Sequence, residues 1–237
     1  MRERSHRLLA PGTVIAVAVA LTLLAWLENS LAPWAPYYAV YALAATALPL
    51  ALGAYRFGPL GVVRWWHWPA GLLLAVALQA VAGLFLTFVW PAAAGLVGAG
   101  GPEAQFPAAL ARMFEAAAAR LGGTAGGHQL VYLGLVVAWA GLGEELFYRG
   151  YVQGSLRRRW GAPAAILTAN LLFATRHAAQ LALVQPYPWA AAAGWVTFSF
   201  LAGLAFSWLY ERTGSLWLPV FVHYAFNLIP LVPLLVG

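Results

Sequence analysis

Apolar residues run unbroken along this chain for about 20 positions at a time, the length of helix that crosses a hydrocarbon core of ~30 Å at 1.5 Å per residue. Polar residues gather between the runs. The pattern predicts helical spans at Leu8–Leu27, Tyr37–Ala54, Pro69–Val89, His128–Gln153, Pro163–Val184, Trp189–Tyr210 and Leu216–Val236. The runs are continuous rather than alternating, which argues against a transmembrane β-barrel. Leu8–Leu27 is too long for a signal-peptide core and lacks a small-residue cleavage site before Glu28, so it reads as a retained span.

The segments between the runs refine this picture. Pro33 and Pro36 mark a short loop. Arg56 and Arg64, with Trp65, Trp66 and Trp68, suit a headgroup-level belt. Pro91 to Gly127 is the longest polar region and contains a helical piece, Pro107–Leu121, with Arg112, Glu115 and Arg120. That piece reads as an interfacial helix or an additional membrane-dipping one. The expected fold is an all-α polytopic transmembrane bundle of seven spans, or eight if this piece enters the membrane. Residues 1–127 form a three-span region with a polar loop, and 128–237 a four-span core, within one integrated membrane domain.

Composition agrees. The chain is 63% hydrophobic and 8% charged, too apolar for a soluble domain of 237 residues. Its bases are all arginine and its acids all glutamate. Without cysteine there is no disulfide, thiolate metal site or cysteine nucleophile; without aspartate there is no aspartyl dyad. The net charge of +6 reflects topology rather than nucleic acid, because the arginines sit at helix ends. Arg2, Arg4, Arg7, Arg56, Arg64, Arg157, Arg158, Arg159 and Arg212 fall on one side of the predicted membrane. Arg112 and Arg120 face the other side, offset by Glu103 and Glu115, so the N-terminus is expected in the cytoplasm.

Three places put polar side chains inside apolar runs. The first is Glu144, Glu145 and Arg149; the second is His177, with Asn170 two turns earlier; the third is His223 and Asn227. Charges at membrane depth are rare and are usually functional or paired. Glu145 and Arg149 are four apart, in the favourable order for an ion pair. Glu144 points elsewhere and has no obvious partner in its own helix. His223 and Asn227 share one helix face. Measured from the cytoplasmic interface, taken near Arg157 for the first, Glu144 lies at roughly 18–20 Å, His177 at about 20–25 Å and His223 at about 12–15 Å along their helices. The three segments are therefore able to meet inside the bundle. Taken singly, each residue has a plainer reading: an ion pair, a hydrogen-bonded histidine, helix glue or aromatic packing. His6, His67 and His128 sit in loops or helix ends and read as incidental.

A carboxylate, two imidazoles and a carboxamide in a dry pocket suit amide hydrolysis. The acid deprotonates water, and His and Asn donate to the oxyanion. Alternatively, Glu144, His177 and His223 bind zinc, which itself acidifies water. A transporter moving protons through the buried Glu and His is a further reading, but there is no internal inverted repeat.

The motifs resemble those of the CPBP intramembrane proteases, the group of CAAX-processing (Rce1-type) and bacteriocin-processing enzymes. The family pattern is Glu-Glu-x-x-x-Arg, then Phe-x-x-x-His, then His-x-x-x-Asn/Asp. It is met here by Glu144-Glu145…Arg149, Phe173…His177 and His223…Asn227, in order. The resemblance covers residues 128–230. It implies a glutamic intramembrane endopeptidase in which Glu144 with His177 activates water and His223 with Asn227 steadies the oxyanion. Glu145, Arg149 and Phe173 are then supporting residues. No cofactor is required on this reading, although a divalent metal is the family's alternative description. The implied substrate is a membrane-anchored protein or peptide, with myxosortase-like cleavage of an anchor among the options, and membrane lipids surround the enzyme. A non-catalytic immunity or scaffold protein of the same fold is the remaining alternative. The Ala/Arg-rich, Lys-free composition points to the cytoplasmic membrane of a high-GC bacterium.

Overall fold

The computed structural model describes residues 10–31, 39–51 and 62–229; at 102 and 136–138 it describes the backbone alone. Expectations for Arg2, Arg4, Arg7, Pro33, Pro36, Arg56 and the residues beyond 229 lie outside these.

Every element among the described residues is helical. In chain order they are α1 (Pro11–Leu31), α2 (Ala39–Ala51), α3 (His67–Gly95), α4 (Phe106–Leu121) and α5 (Ala125–Leu135). A π-helix (Val136–Gln153) follows, then α6 (Gly154–Trp160), α7 (Ala162–Arg176), a 3₁₀ turn (His177–Leu181), α8 (Trp189–Thr213) and α9 (Trp217–Leu228). Among the described residues, α1, α3 and α8 are each long and apolar enough to cross a membrane. A fourth span arises if α5 and the helical stretch running to Trp160, bent by 48°, count as one.

Several boundaries differ from the hydropathy reading, for physical reasons. The third span does not end at Val89: α3 runs on to Gly95 through a π-type turn at Phe85–Val89, which accommodates Pro91. Arg157, Arg158 and Arg159 lie within the last turn of α6, where cations complement the helix dipole, and not beyond the helix. α7 stops at Arg176, after 15 residues or ~22 Å, and tightens into the 3₁₀ turn rather than continuing to Val184. Glu28, one residue past the predicted first span, is inside α1 and 5% exposed. Its carboxylate accepts the N–H groups of Val40 and Tyr41 at 2.8 and 3.1 Å. Those are first-turn donors of α2 that have no partner within their own helix.

The π-helix is the centre of the bundle, with α2, α7 and α9 all packed on it. Gly141 makes the contact with α9 possible: a Cβ there would lie 2.8 Å from the Tyr224 ring. α4, the polar-loop helix foreseen from sequence, turns Phe106, Ala109, Met113, Phe114 and Ala117 inward. Its Arg120 donates to the Ser30 carbonyl at the end of α1, 2.8 Å away.

Candidate active site

The acidic pair sits in the π-helix. Long π-helices are rare, and their wider i→i+5 turns usually mark functional positions. Here the Gly154 N–H reaches the Arg149 carbonyl in that register. Glu144 and Glu145 are 2% and 0% exposed, and each has its own arginine. Glu145 pairs with Arg149 at 3.2 Å, as the sequence spacing predicts. Glu144 pairs with Arg176, from the end of α7. The buried cluster therefore holds two carboxylates and two guanidiniums, which is how four charges are tolerated in so apolar a setting.

Arg149 is wholly buried and holds three elements together. It donates to Glu145, to Asn170 Oδ1 on α7 at 3.1 Å and to the Gly203 carbonyl on α8 at 3.0 Å. Its guanidinium lies 4.3 Å from the Phe173 ring centre and 5.4 Å from that of Phe206. Asn170 passes the connection on by donating to Ser207 Oγ (2.9 Å), which donates to Gln153 Oε1 (2.8 Å). Gln153 in turn donates to Glu211 (3.0 Å), whose other oxygen accepts from Arg157 at the surface (2.9 Å).

The two histidines are fixed differently. Where α7 tightens, the His177 N–H moves to the Ala174 carbonyl, one residue later than an α-helix would use. The Phe173 carbonyl thus released accepts instead from His177 Nδ1 at 2.8 Å. A carbonyl only accepts, so the proton is on Nδ1 and Nε2 keeps its lone pair, which faces Arg176 Nη2 at 3.2 Å. His223, on α9, donates from Nδ1 to Glu145 Oε1 at 2.8 Å and turns Nε2 toward Glu144 Oε2 at 3.9 Å. Phe206 stacks on its ring at 4.8 Å, and Phe173 packs edge-on against His177 at 4.5 Å.

This cluster borders one cavity of about 390 Å³. Glu144, His177, His223, Asn227, Phe173 and Arg176 line it together. Glu145 and Arg149 stand behind the wall, acting through His223, Asn170 and Gly203. The sequence-predicted set is thus brought to one place, with Asn227 half-buried on the same face of α9 as His223. α2, α3 and α4 supply part of the remaining wall through Ala42, Gln79, Thr87, Phe106 and Leu110. Phe106 stacks on Trp195 of α8 at 4.3 Å, and Trp195 meets the His177 ring at 5.6 Å.

Three residues close to the chemistry escaped the sequence reading. Arg176 was visible only as part of the Phe173–His177 motif, yet it is an arginine inside an apolar run. Tyr41 is buried against it, with Arg176 Cζ 5.4 Å from the ring centre and Tyr148 Oη 3.2 Å from Tyr41 Oη. Gly203 carries no side chain to notice, and its importance is the space it leaves. His67 and His128, read as incidental, make local backbone contacts: His67 accepts the Arg64 N–H at 3.0 Å, and His128 lies 2.6 Å from the Gly122 carbonyl.

The three side chains considered as zinc ligands do not fit a metal in this arrangement. Arg176 Nη2 engages both Glu144 Oε1 and His177 Nε2, so two of the three donor atoms already accept from a cation. Among the described residues no three His, Cys, Asp or Glu side chains converge as a metal site.

Comparison with curated proteins and with solved structures gives no match for this chain. The family comparison does: residues 126–229, from α5 to the end of α9, are similar to the family described as type II CAAX prenyl endopeptidase Rce1-like, and all three motifs of this integral membrane protein fall within that segment.

Proposed function

We propose that the chain is an intramembrane endopeptidase in which Glu144 activates water to cleave a membrane-anchored protein or peptide. The observation that carries this reading is the convergence of Glu144, His177, His223 and Asn227 from three helical segments on one cavity with mostly apolar walls. Burial strengthens each electrostatic contact there and keeps bulk water from competing.

In the reaction, Glu144 takes a proton from water as its oxygen attacks the scissile carbonyl. His177 stands beside it, linked through Arg176 rather than directly. His223, held by Glu145, and Asn227 line the cavity where the oxyanion develops. The proton on Glu144 then passes to the leaving amine. Arg149 and Phe173 position these groups. No metal takes part in this reading, because a guanidinium already occupies the acceptor atoms. The apolar runs and the distribution of arginines support a seven-span arrangement with a cytoplasmic N-terminus in a bacterial inner membrane.

Glu144→Ala at normal expression tests the reading. Loss of a general base slows such reactions by about 10²- to 10⁴-fold. Anchored proteins cut in the wild-type strain should therefore keep their full mass in the variant, by mass spectrometry of the membrane fraction. Unchanged cleavage would assign the protein a scaffold or immunity role instead.

A further inference from the structure

We propose that Arg176 is a catalytic residue, supplying from the chain itself the positive charge that a divalent metal would otherwise bring to this site. The proposal rests on the proteolytic reading above and adds a group that neither the family pattern nor the sequence spacing assigns.

The geometry is specific. Arg176 is 1% exposed, lines the cavity and precedes His177 at the end of α7. One nitrogen, Nη2, reaches Glu144 Oε1 and His177 Nε2 together. A zinc ion shared by those atoms would need them at ~2.0–2.2 Å from a common centre. The guanidinium occupies that gap, repels a dication and uses the lone pairs it would require. Tyr41 backs it from α2, outside the family-matched segment, with its ring 5.4 Å from Arg176 Cζ. A cation held over an aromatic face in a dry site is kept there by the ring quadrupole.

The charge balance follows. Before attack, the Glu144 carboxylate neutralises Arg176. As the water oxygen bonds to the carbonyl carbon, its proton moves to Glu144 and the carbonyl π pair moves onto oxygen. Glu144 becomes neutral, and the oxyanion replaces it as counter-ion to Arg176, so the net charge of the cluster does not change. On collapse, the oxygen pair re-forms the carbonyl, the C–N bond breaks, and the Glu144 proton goes to the leaving nitrogen. The guanidinium then returns to the carboxylate. A fixed charge that serves ground state and intermediate in turn needs little reorganisation.

The test uses the full-length protein in detergent, mixed with membrane vesicles from a strain lacking the gene, with new protein termini quantified by mass spectrometry. Arg176→Met is expected to slow product formation by about 100- to 1,000-fold, the loss typical of one oxyanion-stabilising donor. Arg176→Lys should retain part of the rate, and added guanidinium ion should raise the rate of Arg176→Ala while leaving wild type unchanged. Zinc titration by calorimetry gives a readout independent of turnover. Wild type should bind none at this site, Arg176→Met should gain one zinc, and Arg176→Met/His177→Ala should lose it again. Wild-type zinc binding that His177→Ala removes would overturn the proposal, as would an Arg176→Met variant that gains no zinc. Products that Glu144→Gln abolishes but Arg176→Met leaves unchanged overturn the Arg176 role alone. No product from the wild type overturns the proteolytic reading and the role with it.

Discussion

Replacing Arg149 by Met is the most demanding probe of how the acidic pair is held. The side chain is fully buried, and its donors reach Glu145, Asn170 and Gly203 at 3.2, 3.1 and 3.0 Å. Met keeps much of the volume against Phe173 and Phe206 but removes the charge. Glu145 is then left as a buried carboxylate held by His223 alone, and breaking such a pair costs about 3–5 kcal/mol. Asn170 Oδ1 loses its arginine donor, a further ~1–3 kcal/mol if it stays dry. The single variant should therefore lose at least ~4 kcal/mol of unfolding free energy. Much of that is the penalty of a stranded charge, not the worth of the pair. Glu145→Gln in the same chain removes the charge, so the double variant should recover ~2–3 kcal/mol relative to the sum of the singles, a coupling typical of groups in one network. Unfolding in detergent followed by tryptophan fluorescence measures all three. If the two losses simply add, Glu145 and Arg149 do not share a buried ion pair, and the reasoning about charge balance in this cluster is wrong.

Gly203→Ala would place a Cβ against Asn170 Oδ1 and 2.9 Å from Arg149 Nη2. Overpacking there should cost about 1–3 kcal/mol in the same unfolding assay and reduce cleavage, since the obstruction moves the support of Glu145. Glu28→Ala removes the acceptor for the Val40 and Tyr41 N–H groups and should lose ~0.5–2 kcal/mol, the usual effect of deleting a helix cap. Arg157→Gln breaks an ion pair whose arginine side chain is 55% exposed; its effect should stay within ~1 kcal/mol, and a larger one would mean the surface end of the Asn170–Glu211 chain carries load.

Much of this protein is written in one dimension. Runs of apolar residues set the class, because only helices and closed barrels satisfy their own backbone hydrogen bonds in hydrocarbon, and runs that are continuous rather than alternating choose the helix. The spacing of Glu145 and Arg149 set their pairing, since both lie on one helix. His223 and Asn227, four apart, reached the same cavity for the same reason. These are local relations, and local geometry is nearly fixed once the chain is helical.

What the tertiary structure decided is everything that crosses between helices. Glu144 has its partner 32 positions away in Arg176, and no periodicity links them. The proton position on His177 depends on α7 tightening at its last turn, which frees the Phe173 carbonyl. That Arg176 Nη2 reaches both Glu144 and His177 is likewise a matter of how α7 packs on the π-helix. Tyr41 and the walls given by α2, α3 and α4 carry no motif at all. Packing placed them, because an apolar segment specifies that it will be buried or lipid-facing but not which neighbour it will meet.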